Sequence, residues 1–115
     1  MLKKFFVLQS TVNKSTQEVQ EEYQEVETAL RVIYGRNIEV ISTVKELPEL
    51  LNANNYVLLL ANKNIELMAQ TDMVVCARGY MNDRIAYNYK LIANMYGVPV
   101  WEMAGVDSGI AKCYV

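Results

Sequence analysis

The chain has 115 residues, enough for one hydrophobic core and too few for two ordinary domains, so a single domain over 1–115 is expected. Hydrophobic residues at 52% and charged residues at 21% exclude a disordered chain. A net charge of −2, from eleven basic and thirteen acidic side chains, excludes a general nucleic-acid binder. With no histidine, imidazole catalysis is excluded; Cys76 and Cys113 lack metal-ligand spacing, so neither a metal nor a cofactor is expected.

The N-terminal run Met1-Leu2-Lys3-Lys4-Phe5-Phe6-Val7-Leu8 meets polar Gln9-Ser10-Thr11 too early for a signal peptide, and no run approaches the length of a transmembrane helix. A soluble, cytoplasmic protein without a membrane partner follows as the expectation. Two cysteines make no secreted disulfide framework, and Cys76 in its apolar run reads as a small buried hydrophobe.

Residues 3–8 predict a strand buried on both faces. After the loop Gln9–Lys14, Ser15-Thr16-Gln17-Glu18 fits a capping box that opens a helix. Val19, Tyr23, Val26, Leu30 and Ile33 would form its inner face, with Gly35 as its stop. Residues 38–43 predict a second strand. Pro48 with Asn52, Asn54 and Asn55 predicts irregular structure over 44–55, and Tyr56–Gln70 a helix.

A third strand is predicted at Met73–Ala77. A helix over about Asn82–Tyr96 follows, with Ile85, Tyr89, Ile92 and Tyr96 inward, and Gly97 ends it. Val98–Met103 predicts the fourth strand, and 104–115 a small, polar tail. Strands alternating with helices predict an α/β fold, a three-layer Rossmann-like (flavodoxin-like) parallel sheet of four to five strands flanked by helices.

In such sheets ligands sit beyond the carboxyl ends of the strands. That rule selects two loops. The first offers Gln9, Ser10, Thr11 and Asn13 beside a helix N-terminus, suited to a phosphate, a carboxylate or a ribose hydroxyl. It has no glycine and is not a P-loop. In the second, Gly79 lets a ligand approach the backbone, Tyr80 can stack on a base, and Arg78 or Arg84 can hold phosphate. Asn82 or Asp83 is equally suited to cap the next helix, and Arg84 to pair with an acid.

Four segments together carry a family likeness. They are the opening strand with its Gln-Ser loop and Asn13-Lys14-Ser15, the stretch Leu67-Met68-Ala69-Gln70-Thr71-Asp72-Met73-Val74-Val75, then Arg78-Gly79-Tyr80, and finally Ala93-Asn94-Met95-Tyr96-Gly97-Val98-Pro99-Val100. In order and spacing they resemble the nucleoside 2-deoxyribosyltransferase-like superfamily, in particular its small members of unknown function found often in phages. The resemblance covers most of 3–103, with 44–58 poorly matched.

The resemblance implies a nucleotide-like small-molecule partner and a homo-oligomer, with Lys112, Tyr114 and the carboxylate of Val115 as candidates to complete a neighbour's site; a disordered tail is the alternative. Family enzymes attack the N-glycosidic bond with a glutamate on the last helix. Counted back eight residues from Gly97, that position holds Tyr89, which also falls on the apolar stripe and reads more simply as packing. The acid usual after the third strand is absent from Ala77-Arg78-Gly79, and Asp83 is the carboxylate nearby.

With the nucleophile missing and the arginines kept, the expected function is non-catalytic binding of a nucleotide or nucleotide-derived signal. One concrete form is a phage sponge for a host immune signalling nucleotide. The alternatives left open are a nucleoside N-glycosidase or deoxyribosyltransferase using a displaced carboxylate such as Asp83, and a structural or interaction module without ligand. The binding set read from the sequence is Gln9, Ser10, Thr11, Asn13, Arg78, Gly79, Tyr80, Asn82, Arg84 and Tyr89.

Overall fold

The computed structural model describes residues 2–43, 56–103 and 113–114. In chain order these form β1 (Lys3–Leu8), α1 (Thr16–Tyr34), β2 (Ile38–Ile41), α2 (Tyr56–Met68), β3 (Met73–Cys76), α3 (Arg84–Met95), β4 (Val100–Met103) and β5 (Cys113–Tyr114). One sheet holds the strands in the order β2-β1-β3-β4-β5. The first four run parallel, and β5 lies antiparallel to β4. The fold is therefore the three-layer, Rossmann-like α/β arrangement expected from the sequence.

Alternation along each strand divides the core into two layers. Phe5, Val7, Met73 and Val75 face α1 and pack on Val19, Tyr23, Val26 and Leu30. Phe6, Leu8, Val74 and Cys76 face the other way, toward Met68 of α2 and Ala86, Tyr89 and Ala93 of α3. Burying a side chain of the size of Phe5 or Leu30 stabilises the fold by about 1.5–3 kcal/mol. Both layers draw on β1, which is paired with β2 on one side and β3 on the other.

The capping box predicted at Ser15 is present: Ser15 Oγ accepts from Glu18 N at 3.1 Å, and Glu18 Oε1 accepts from Ser15 N at 3.1 Å. Gly35 ends α1 with φ 85°, and its N–H bonds Arg31 O. The inner face of α1 stops one residue short of expectation. Ile33 is 46% exposed, and Tyr34 turns inward instead, its ring tilted against those of Phe5 (4.8 Å) and Trp101 (5.2 Å). A broad ring reaching from β1 to β4 buries more apolar area there than an isoleucine would.

The inner face of α3 differs more. Ala86, Tyr89 and Ala93 are buried, whereas Ile85 and Tyr96 are 44% and 78% exposed. Two alanines let the helix backbone sit close to the sheet. The large residues read as the core face are thereby turned outward by about one position. Helix α3 also starts at Arg84, because Gly79–Asn82 forms a 3-10 turn and Asp83 caps the helix. Strand β2 ends at Ile41 and β4 begins at Val100, after Pro99, which has no N–H for the ladder.

The irregular stretch expected at 44–55, and Lys112 and Val115 of the tail, lie outside the described residues; Tyr114 lies in β5. Among the described residues no helix is long and apolar enough to cross a membrane.

Candidate functional site

The chain leaves β1 toward β2 on one side, and β3 lies on the other, so connections diverge at the carboxyl ends of β1 and β3. Divergent connections leave a crevice at that point. Buried polar side chains are costly and therefore informative. Among the described residues they are Ser10, Thr43, Asn64 and Asp83. Ser10 follows β1, Thr43 follows β2 and Asp83 closes the connection after β3. Asn64, on α2, joins them through a hydrogen bond from Thr43 Oγ1 to Asn64 Oδ1 at 3.2 Å. All four stand at the carboxyl end of the sheet.

The first loop is organised by Gln9. Its Nε2 donates to Val19 O (2.9 Å) and to Glu22 Oε1 (3.0 Å), while Lys14 Nζ bonds Glu22 Oε2 at 2.9 Å. Gln9 Oε1 is buried with no hydrogen-bond partner among the described residues. Ser10 Oγ accepts from Val12 N at 3.3 Å, Thr11 O accepts from Lys14 N, and exposed Asn13 takes φ 58° to turn the chain. The start of α1 is already occupied by its own cap. Bonds to Ser15, and then the charge of Lys14, hold the Glu18 carboxyl below its ordinary range.

The second loop is built on Gly79, exposed and at φ 82°, where nothing lies within 4 Å of a would-be Cβ. Arg78, Asn82 and Arg84 are exposed around it. Asp83 Oδ1 accepts from Ile85 N (2.9 Å) and Ala86 N (3.3 Å), so a carboxylate fills the N-terminus of α3 as well. Arg84 makes no ion pair or hydrogen bond among the described residues.

Tyr80 is buried rather than offered as an open stacking surface. Its ring lies 6.3 Å from that of Tyr87, and its hydroxyl donates to Glu102 Oε1. Burial, and then the Glu102 carboxylate, push the Tyr80 phenol above its ordinary range.

Tyr89 is 5% exposed in the layer between the sheet and α3. Its oxygen accepts a hydrogen bond from the Asn64 amide, which lowers its phenol pKa, but burial outweighs that and raises it. The packing reading of Tyr89 and a polar role therefore coexist in one side chain.

Three participants were not singled out from the sequence: Thr43, Asn64 and Glu102. Glu102 carried a usable signal, as the lone charge within the apolar run Val98–Met103. It stands in register with Cys76, which pairs in turn with Leu8, at the carboxyl ends of three adjacent strands. Lys90 Nζ lies 3.8 Å from Glu102 Oε1 and 5.5 Å from the Tyr87 ring centroid. Thr43 and Asn64 are ordinary polar residues in sequence, distinguished only by burial.

No group of three or more potential metal-ligating side chains occurs among the described residues. Comparison with protein-family models, with curated proteins and with solved structures gives no match.

Proposed function

We propose that this chain is a non-catalytic binding protein for a nucleotide or nucleotide-derived ligand, held at the carboxyl ends of β1 and β3. The observation that carries the reading is the contrast between the acids and Arg84. Glu18 and Asp83 cap helices, Glu22 is tied to Lys14 and Gln9, and Glu102 is held by Tyr80 and Lys90. A nucleophilic carboxylate must be free to attack a sugar carbon. These are all engaged, whereas among the described residues the guanidinium of Arg84 is not.

Anion recognition then falls to Arg84, Arg78 and the open backbone at Gly79, since both helix N-termini carry their own acids. The resemblance to the nucleoside 2-deoxyribosyltransferase-like superfamily supports a nucleoside as the body of the ligand. Sequestration of a signalling nucleotide in a host cytoplasm by a phage protein is the narrower form of this proposal.

The test is a panel of nucleotides, NAD derivatives and cyclic nucleotides incubated with the protein and then separated by chromatography. The expected result is ligand recovered intact, with affinity falling about ten- to hundredfold in Arg84→Ala, the loss of a charge-assisted bond. Released base, or unchanged affinity in Arg84→Ala, would overturn it.

One observation favours a second reading, a glycosidase using a displaced carboxylate. Glu102 reaches the carboxyl end of β4 with a side chain 38% exposed, and only its Oε1 is engaged. Base release abolished by Glu102→Gln would establish that reading in place of the first.

A homo-oligomer belongs to the same proposal. Helices α2 and α3 expose Leu58, Ile65, Leu91 and Met95, Tyr96 follows them at the end of α3, and a groove of ≈ 680 Å³ between the helices is lined by Ile65, Met68, Ile92 and Val98. Its lining carries no charged side chain, so two copies can pair apolar on apolar at no electrostatic cost. Sedimentation should show an oligomer that Met95→Lys dissociates; a monomeric wild-type chain would refute this.

A further inference from the structure

We infer that α1 closes the outer edge of the sheet: Tyr23 and Arg31 occupy the outward carbonyls of β2 and so prevent a second copy of the chain from adding its own β2 there. The inference is independent of the ligand reading above.

Among the described residues β2 is the outermost strand on its side of the sheet. The direction of its backbone groups follows from the register. Leu8 O accepts from Ala77 N at 2.8 Å and Lys4 O from Asp72 N at 2.9 Å, so the even-numbered residues of β1 present their backbone groups to β3. The odd-numbered ones therefore face β2. Phe5 stands opposite Val40, and in a parallel ladder its bonds go to the residues flanking that partner, Glu39 and Ile41. Ile38 and Val40 are left with their N–H and C=O groups turned away from the sheet.

An edge of this kind is a template for another strand. Two copies related by a two-fold axis would pair β2 antiparallel, Ile38 of each against Val40 of the other, with Glu39 on the axis. Every hydrogen bond of that pair needs the carbonyl of Ile38 or of Val40 as its acceptor. Helix α1 already holds both. Tyr23 Oη donates to Val40 O at 3.3 Å, and Arg31 Nη1 donates to Ile38 O at 3.3 Å and to Arg36 O at 3.2 Å. A strand adding at this edge must displace these donors or share the carbonyls with them.

Both donors are held in place. Tyr23 is buried in the layer formed with Phe5 and Val26, and Arg31 Nη2 is bonded to Glu27 Oε2 at 3.1 Å, one turn back along α1. On the axis, exposed Glu39 would also meet its own copy, and like charges directly opposite disfavour a strand pair. The Lys4 ammonium, 4.0 Å from Glu39 and itself well exposed, offsets only part of that repulsion.

The experiment reads contact at the axis through a disulfide. Residues facing each other in a non-hydrogen-bonded antiparallel pair have Cα atoms about 4.5 Å apart, within the reach of a disulfide. Glu39→Cys in the full chain supplies the thiol, and copper-phenanthroline the oxidant; peptide mapping separates the product from disulfides of Cys76 or Cys113. With Glu39→Cys alone, the symmetric disulfide should form slowly. Adding Tyr23→Phe and Arg31→Met, which keep side-chain bulk and remove the donors, should speed it at least about tenfold, the effect of one hydrogen bond released to the partner strand.

The charge of Glu39 is absent from every chain compared, so the difference reports the donors, and association through α2 and α3 leaves it unchanged. Circular dichroism melts verify folding. Arg31→Met alone, at a side chain 37% exposed, leaves the core intact and should give an intermediate rate. Equal rates with and without the donors would overturn the inference. So would the lack of a symmetric disulfide in every folded variant, since an edge that takes no strand needs no closing.

Discussion

Replacing Tyr89 by phenylalanine separates its packing from its hydrogen bond. The ring stays in the layer formed with Leu8, Val74, Cys76 and Ala86, so no cavity opens and the change isolates one oxygen. That oxygen accepts from the Asn64 amide, and Asn64 Oδ1 in turn accepts from Thr43 Oγ1 at 3.2 Å. Removing it forfeits a hydrogen bond and leaves a buried amide N–H, on a residue 6% exposed, without its acceptor. The first effect is about 1 kcal/mol and the orphaned donor brings the total to about 1–3 kcal/mol. For a chain of this size, that lowers Tm by roughly 4–12 °C.

Urea unfolding of wild type, Tyr89→Phe, Asn64→Leu and the double variant measures the coupling directly. In the Asn64→Leu background, Tyr89→Phe should cost under about 0.5 kcal/mol, because no donor is left to orphan. Additive costs in the cycle, or a Tyr89→Phe penalty no larger than that of a surface change, would refute the reasoning.

Two further outcomes follow from buried titratable groups. Burial, and then the charge of Glu27, raise the Tyr23 phenol to about 12, and Tyr23 Oη donates to Val40 O at 3.3 Å. The unfolded chain ionises near pH 10 while the fold keeps the proton, so stability should be unaffected below pH 10 and fall between pH 10 and about 12. Denaturation midpoints from pH 8 to 11.5 check this, and Tyr23→Phe should flatten part of the decline; an equally steep decline in that variant would count against it. For Cys76, burial and then the Glu102 carboxylate raise the thiol to about 12, leaving about one part in ten thousand as thiolate at pH 8. Peptide mapping after iodoacetamide should find Cys76 modified only once urea unfolds the chain, and rapid labelling of the native protein would contradict its burial.

The layers of this fold were readable because their signals are local. An apolar run is enough to mark β1, and Ser15 with Glu18 marks the start of α1 whatever packs above it. Face assignment was less local. Periodicity on α3 favoured the bulky Ile85 and Tyr96, yet the face turned inward is the one with Ala86 and Ala93, since proximity of the helix to the sheet decides which side chains fit. The crevice loops were found by topology alone. The network inside them depends on contacts between distant segments, such as Thr43 with Asn64 and Tyr80 with Glu102, which no spacing in the sequence encodes.

Those distant contacts also bear on the proposed anion site, which is bordered by acids. Each carboxylate there is spent on a neighbour: Asp83 on the first N–H groups of α3, Glu18 on the Ser15 backbone, Glu22 on Lys14 and Glu102 on Tyr80 and Lys90. Of these four, Glu22 and Glu102 face a cation, at 2.9 and 3.8 Å, whereas Asp83 and Glu18 keep their charge, offset in part by the N–H groups they accept from and screened by solvent with distance. On that proposal the guanidinium of Arg84, unpaired among the described residues, governs the approach of the anion. Formal charge would therefore misjudge the site, and the hydrogen-bond network corrects it.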